Sequence, residues 1–340
     1  MNTANRTFER EKHTAIAAVR QVSRLCRSIQ SQALKTVLRK KDHTPVTTAD
    51  FVSQALICRT LHDAFPRDPV MAEEGSAMLR EPGNKNVLDR VVMFVRQIRE
   101  KADAPGVCHW IDHGRADEFS HRFWTLDPVD GTRGFLRGEQ FAISLALIVD
   151  AQVAVGVLAL PNLSRFSHND KPEGAIFVAV REDGASVNYL DQDGPGQPIE
   201  VSHQKDPRKI RFCESPDPGH SSHTDSAGIA VQLGITRPPL RLGSQIKYVL
   251  VAQGKEDMYF LLPSKIGGRE KIWDHAAGSL IVEEAGGKVT DITGKPLDFT
   301  HGRELAGNYG VIASNGYLHN RILNAMKVAG IHSALRHPSK

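Results

Sequence analysis

"LDPVDGTRGF", residues Leu126–Phe135, sets two aspartates three apart around a proline and follows them with Gly-Thr and Gly-Phe. A loop built only to turn does not need both acids. Pro128 pushes Asp127 into an extended conformation and prevents a helix from starting there. Asp127 and Asp130 are then expected to point the same way from one tight turn. "FWTL" before them (123–126) reads as a strand, so the acids fall at its carboxyl end, where functional sites in such sheets gather. Gly131 and Thr132 follow, with backbone N–H groups available to an anion. Crowded carboxylates repel unless a cation joins them, and hard oxygen donors of this kind suit Mg²⁺. The competing reading is an Asx-turn with a solvated second acid.

Other acids stand at comparable places. Glu73 and Glu74 end a short expected strand in "DPVMAEEGS" (68–76). By themselves they read as a solvated pair. Asp274 opens the expected helix "DHAAGSLIVEEAGG" (274–287), and by itself reads as its N-cap. Asp50 in "TPVTTAD" reads as a first-turn acid favoured by the helix dipole, behind a cap at Thr47 or Thr48. The local sequence sets no basic partner beside any of these loops. Acids recurring at strand ends and helix starts therefore argue for a shared cation site over separate coincidences.

Around these loops the pattern is mixed. Ala15, Val19, Val22, Cys26, Ile29 and Ala33 mark one face of an amphipathic helix. A helix is expected from Ala49 to about Phe65, and a helical piece near Val87 to Arg99. The rest of the stretch from Pro82 to Arg122 is irregular. "FAISLALIV" with "QVAVGVLAL", and "GAIFVAV" with "ASVNYL", read as two antiparallel hairpins. The Gly/Pro-rich stretch Asp191–Ser202 marks an expected boundary. Beyond it strands ("IRFCES", "DMYFLL", "GVIAS") alternate with helices (Ser222–Leu233, "SQIKYVLVAQG", "DHAAGSLIVEEAGG" with its Gly-Gly stop, and a C-terminal helix). The expected organisation is an α+β half over residues 1–200 and an α/β half over 201–340.

The chain has 340 residues, 40% hydrophobic and 24% charged, the balance of a soluble globular protein rather than a disordered or fibrous one. Its net charge of +4 is spread along the chain without a long Lys/Arg run, which favours a small anionic ligand over a nucleic-acid polymer. Cys26, Cys58, Cys108 and Cys213 form no Cys-x-x-Cys and are expected to be free thiols in a reducing cytoplasm. The charged start lacks a signal-peptide apolar stretch, and no segment approaches the roughly 20 apolar residues of a membrane span. A monomer that acts on a small molecule, away from membranes, is expected.

"PVTTAD", "AEEGS", "LDPVDGTRGF" and "WDHAAGSLIVEEAGG", in this order, resemble the Mg²⁺-dependent, lithium-sensitive inositol monophosphatase-like phosphatases. "HTPVTTADFVSQALI", "FWTLDPVDGTRGFLRGEQFAISLALIVD", "SSH", "SQIKY" and "EKIWDHAAG" are similar to the branch that acts on 3′(2′),5′-bisphosphate nucleotides. The resemblance covers nearly the whole chain. It implies a layered α/β/α/β/α sandwich with the site between the halves. It implies metal ligands at Glu73, Asp127, Asp130, Asp274 and the Val129 carbonyl, holding two or three Mg²⁺ ions. Asp50 with Thr132 would align and deprotonate the attacking water, and the Gly131 and Thr132 amides would hold the phosphate. His223, Ser244 and Lys247 would bind the second phosphate and the nucleoside. The implied reaction is hydrolysis of the 3′-phosphate of adenosine 3′,5′-bisphosphate. Inositol phosphate or sugar phosphate hydrolysis on the same fold is the alternative. A non-catalytic nucleotide or metal sensor would be expected to have lost a ligand, and none of the acid positions is lost.

The chemistry agrees with the residues. Metal ions relieve the repulsion between a phosphate dianion and attacking water, and a Thr hydroxyl backed by a carboxylate orients that water without a covalent intermediate. There is no competing C-x₅-R or G-x-S-x-G nucleophile motif. Two positions depart from the family pattern: Leu261 stands where relatives carry Arg, and Gly243 where an acid often precedes the Ser. Arg241 and Arg269 are candidates for the missing charge.

Overall fold

The computed structural model describes residues 8–32, 37–40, 43–163, 173–192, 194–219, 221–262 and 269–331. Ala33, the last position of the expected apolar helix face, lies outside the described residues, as do the first seven residues of the charged start.

The first part of the chain builds α1 (Glu9–Ser31), β1 (Val37–Arg39), β2 (Pro45–Thr47), α2 (Thr48–Ala64), β3 (Val70–Ala72), α3 (Lys85–Arg96) and α4 (Ala104–Asp112). It continues through β4 (Arg122–Asp130), α5 (Thr132–Arg137), β5 (Ala142–Val149), β6 (Gln152–Leu160), β7 (Ala175–Val180), β8 (Gly184–Tyr189) and β9 (Gln197–Pro198). Strands β3 to β9 form one seven-stranded sheet in chain order, parallel only at β3–β4. Both expected hairpins are present and neighbour each other in this sheet.

The remainder builds β10 (Phe212–Glu214), α6 (His223–Leu233), β11 (Leu240–Arg241), α7 (Ile246–Ala252), β12 (Met258–Leu261), α8 (Ala276–Glu284), β13 (Lys288–Thr290), β14 (Val311–Ser314) and α9 (His319–Val328). Its five strands run β11-β10-β12-β14-β13, with β11, β10 and β12 parallel and β14 antiparallel to both neighbours. The Gly/Pro-rich stretch Asp191–Ser202 itself supplies β9, the last strand of the first sheet, and the second sheet starts after it at β10.

Side-chain alternation stacks the layers. On β4, Trp124 and Leu126 pack under α1 and α2, while Phe123 faces the opposite side with Ala146, Leu158 and Phe177. That opposite face meets α7 and α8. On β12, Tyr259 and Leu261 turn inward to the same helices, and Met258 and Phe260 turn outward to α6 and α9. The order is helices, sheet, helices, sheet, helices, the expected α/β/α/β/α sandwich. All four cysteines are buried and free. Among the described residues no helix is long and apolar enough to cross a membrane.

Local expectations differ from the structure in several places. The stretch at Asp127 is no tight turn: β4 runs on to Asp130, and the chain gains its extra residues as a bulge against β5 between Asp127 and Asp130. The irregular stretch before Arg122 contains α4, whose start Ala104-Pro105-Gly106 hides it; Asp103 caps it by accepting from Gly106 N at 2.8 Å. Asp274 does not cap α8. It ends a short 3₁₀ turn, Ile272–Asp274, and His275 stands at the cap position, its side chain bonded to Tyr248 rather than to the helix backbone. Ser244 does not start α7; it precedes it with φ of 62°, and α7 begins at Ile246. β1, β2, β11 and β13 were not expected, each being two or three residues long.

Candidate active site

The end of β4 delivers the first acids. Asp127 is buried, and its Oδ1 accepts from Val129 N at 3.1 Å, the bond that shapes the bulge. Asp130 follows, and then Gly131 with φ of 85°, a conformation that favours glycine. A Cβ at Gly131 would lie 3.0 Å from the Ser244 Cβ, so the two loops approach closely here. The second part of the chain contributes Asp274. One carboxylate oxygen from each of Asp127, Asp130 and Asp274 lies within 4.8 Å of the others.

Such crowding sets the protonation. Burial pushes the Asp127 carboxyl well above the usual range, helped by the charges of Glu73, Asp130 and Asp274. Burial and the charges of Asp130, Glu73 and Glu270 do the same to Asp274. Asp50, on the first turn of α2, is pushed up to about 7 by burial, although the Thr47 hydroxyl and amide oppose this. Its Oδ2 accepts from Thr47 N at 2.8 Å and Thr47 Oγ1 at 2.6 Å, closing a capping box. Thr47 is therefore the cap. Asp50 Oδ1 is buried without a hydrogen-bond partner.

Glu73 and Glu74 leave β3 beside this cluster. Gln54 on α2 fixes them: its Oε1 accepts from Glu74 N at 2.9 Å, and its Nε2 donates to Glu74 O at 2.7 Å. The expectation that no base attends the acids fails here. Lys40, the residue after β1, places Nζ 2.6 Å from Glu73 Oε1 and 2.6 Å from Glu74 Oε1. Burial alone would lower Lys40, but the two carboxylates outweigh it and hold the ammonium above its usual range. The β1–β2 pairing brings Lys40 in, and no local pattern announces that. Burial and like charge raise Glu74 well above the usual carboxylate range. Of the four expected acidic ligands, three converge directly, and Glu73 is held by Lys40.

The remaining expected residues have partners of their own. The Thr132 hydroxyl donates to Val129 O at 3.1 Å and makes no bond to Asp50 in this structure. Lys247, on the first turn of α7, is buried rather than on the surface. Its Nζ donates to Ser244 O at 2.6 Å and Leu242 O at 3.2 Å, and lies 5.1 Å from the Tyr259 ring centroid. Burial lowers its pKa against the pull of Asp130 and Asp274. His223 opens α6 and donates from Nε2 to Ser215 O at 2.8 Å. The fully buried Glu214 nearby accepts from Ser226 Oγ at 2.5 Å and Arg241 Nε at 2.9 Å. Arg241 is thus tied to Glu214, and Arg269 lies 3.9 Å from Glu304. Leu261 is packed into the apolar layer between the sheets.

A family model described as the inositol monophosphatase family matches residues 9–328. A curated 3′(2′),5′-bisphosphate nucleotidase of Schizosaccharomyces pombe is 41% identical, the alignment covering 94% of this chain and 95% of that one. A probable 3′(2′),5′-bisphosphate nucleotidase of Arabidopsis thaliana is 39% identical over 94% and 95% of the two chains. Among solved structures, an IMPase of Thermotoga maritima superposes with a TM-score of 0.64 at 25% identity, covering 94% of this chain and 97% of its own.

Proposed function

Because this chain belongs to the inositol monophosphatase family, we propose that it is a metal-dependent phosphatase that hydrolyses the 3′-phosphate of adenosine 3′,5′-bisphosphate to AMP and phosphate. The observation that carries the reading is the convergence of Asp127, Asp130 and Asp274 within 4.8 Å, in a chain 35–41% identical to 3′(2′),5′-bisphosphate nucleotidases.

The donor set fits Mg²⁺. The converging groups are hard carboxylate oxygens, while Asp50 Oδ1, a buried acceptor with no hydrogen-bond donor, is left to take a proton. In this reading Asp127, Asp130, Asp274, Glu73 and the Val129 carbonyl hold two or three ions. When bound, the metal neutralises phosphoryl oxygens and acidifies water. The chain's own groups do the rest. The Gly131 and Thr132 amides, exposed by the left-handed turn at Gly131, seat the phosphate. Thr132 turns its hydroxyl from Val129 O to the attacking water, and Asp50 takes the proton. The water oxygen bonds to phosphorus as the P–O3′ bond breaks, the leaving nucleoside oxygen takes a proton from solvent water, and Asp50 returns its own to solvent. His223, Ser244 and Lys247 hold the second phosphate and the nucleoside, with the buried Lys247 ammonium as the cation of that subsite.

The test is a substrate panel of adenosine 3′,5′-bisphosphate, AMP and inositol 1-phosphate, run with Mg²⁺ and with chelator. The bisphosphate should be cleaved fastest, and chelator should abolish the activity. Preference for inositol 1-phosphate, or full activity after verified metal removal, would overturn the reading. Lys247→Ala should raise KM for the bisphosphate far more than for inositol 1-phosphate; equal effects would move the second-phosphate subsite elsewhere.

A further inference from the structure

We infer that Gln245 is a positioning residue that indexes all three converging carboxylates, and so sets the metal affinity of the site. Gln245 is buried just before α7. Its backbone N–H donates to Asp130 Oδ2. Its side-chain Nε2 donates to Trp273 O at 3.1 Å, the carbonyl immediately before Asp274. Its Oε1 accepts from Ser144 Oγ at 3.1 Å, and that hydroxyl also lies 3.1 Å from Trp273 O. Ser144 is the residue paired directly across β4 and β5 from Asp127. One residue therefore touches Asp130 itself, the cross-strand partner of Asp127 and the residue next to Asp274.

The backbone serves the same arrangement. Ser244 takes φ of 62°, a conformation uncommon outside glycine, and this turn aims the Gln245 N–H back at Asp130. Three carboxylate oxygens within 4.8 Å repel one another. Without the ties through Gln245 the acids would separate, and an arriving cation would have to gather them again. Groups that orient ligands in this way typically change metal affinity by about 10–100-fold when removed. A purely structural tie would instead lower stability and leave affinity alone.

The inference rests on the metal-dependent reading above, and calorimetric titration of the metal-free full chain with Mg²⁺ separates the two. Gln245→Met keeps the side-chain length and loses both amide contacts. Its Kd for Mg²⁺ should rise by about tenfold or more. The Mg²⁺ concentration for half-maximal activity should rise in parallel, and kcat should recover as Mg²⁺ is raised. A folded Gln245→Met protein that binds Mg²⁺ as tightly as wild type overturns the inference alone. A wild-type protein that binds no divalent ion overturns both the inference and the function reading. Should Gln245→Met fail to fold, Ser144→Ala, which removes only the hydroxyl link, is titrated in its place. A several-fold weaker Kd supports the inference, and an unchanged Kd overturns it.

Discussion

Replacing Asp127 by Asn should stabilise the metal-free protein while abolishing its activity. The shape is kept, because the Asn Oδ1 can still accept from Val129 N. What is lost is one charge among carboxylates within 4.8 Å of one another. At an effective dielectric constant of about 20, a unit like-charge pair at that separation costs roughly 3.5 kcal/mol. The wild-type protein already avoids part of this cost by retaining protons, since burial and its neighbours hold Asp127 well above the usual carboxylate range. A net gain of about 2 kcal/mol, or roughly 3 °C in Tm, is the expected size. The sign depends on pH. Below the unfolded-state value the acids are protonated in both states and the cluster costs nothing. Between that value and the raised folded value, the unfolded chain releases protons that the folded chain keeps, so wild-type stability falls as pH rises. Asp50, pushed up to about 7, carries this decline to neutrality. Scanning calorimetry in chelator should therefore show the Asn variant melting above wild type at pH 8 and the gap closing below about pH 4. With Mg²⁺ the order should reverse, because ligand binding stabilises the wild type more. An apo variant that melts below wild type at pH 8, or one that keeps near-wild-type kcat, would refute the reasoning.

Two other substitutions probe the surroundings. Lys40→Met leaves Glu73 and the buried Glu74 without their cation. It should cost about 2–3 kcal/mol in urea unfolding, less than the ~3–5 of a fully buried pair because Lys40 is 20% exposed; a change under about 0.5 kcal/mol would mean that the pair is idle. Gly131→Ala forces a side chain into φ of 85° and to 3.0 Å from Ser244. Its stability should fall by about 1–2 kcal/mol and its kcat by at least about tenfold, and a wild-type kcat would show that the close approach is not used.

What the sequence revealed and what it hid divide along a physical line. The β5–β6 and β7–β8 hairpins were legible because apolar runs meet at short turns. The acids were legible because Asp127 and Asp130 are neighbours on one strand end and a cation is the simplest relief for them. Asp274 was found but given the wrong local role, since an Asp before His-Ala-Ala has the look of a cap and the intervening 3₁₀ turn leaves no mark in composition. Lys40 was missed because its partners lie 33 and 34 residues away in sequence, and only the short β1–β2 pairing closes that distance.

The same line explains why substrate choice is harder to read than the metal site. A carboxylate cluster declares itself by its own repulsion, whichever elements supply it. An anion subsite is made of cations already committed to the protein. Lys247 spends its donors on Ser244 and Leu242 carbonyls, and Arg241 gives Nε to the buried Glu214. In the sequence these two residues look alike, one basic side chain on either side of "LGSQI". In the fold Lys247 is 5% exposed and faces the charges of Asp130 and Asp274, whereas the Arg241 side chain is half exposed and bound to an acid of its own. Leu261, packed between the sheets, adds no charge to either. If Lys247 is the cation of the proposed second-phosphate subsite, the absence of an Arg at Leu261, worth about 1.5–3 kcal/mol for one charge-assisted contact, should make a Lys247→Ala loss in bisphosphate KM correspondingly large.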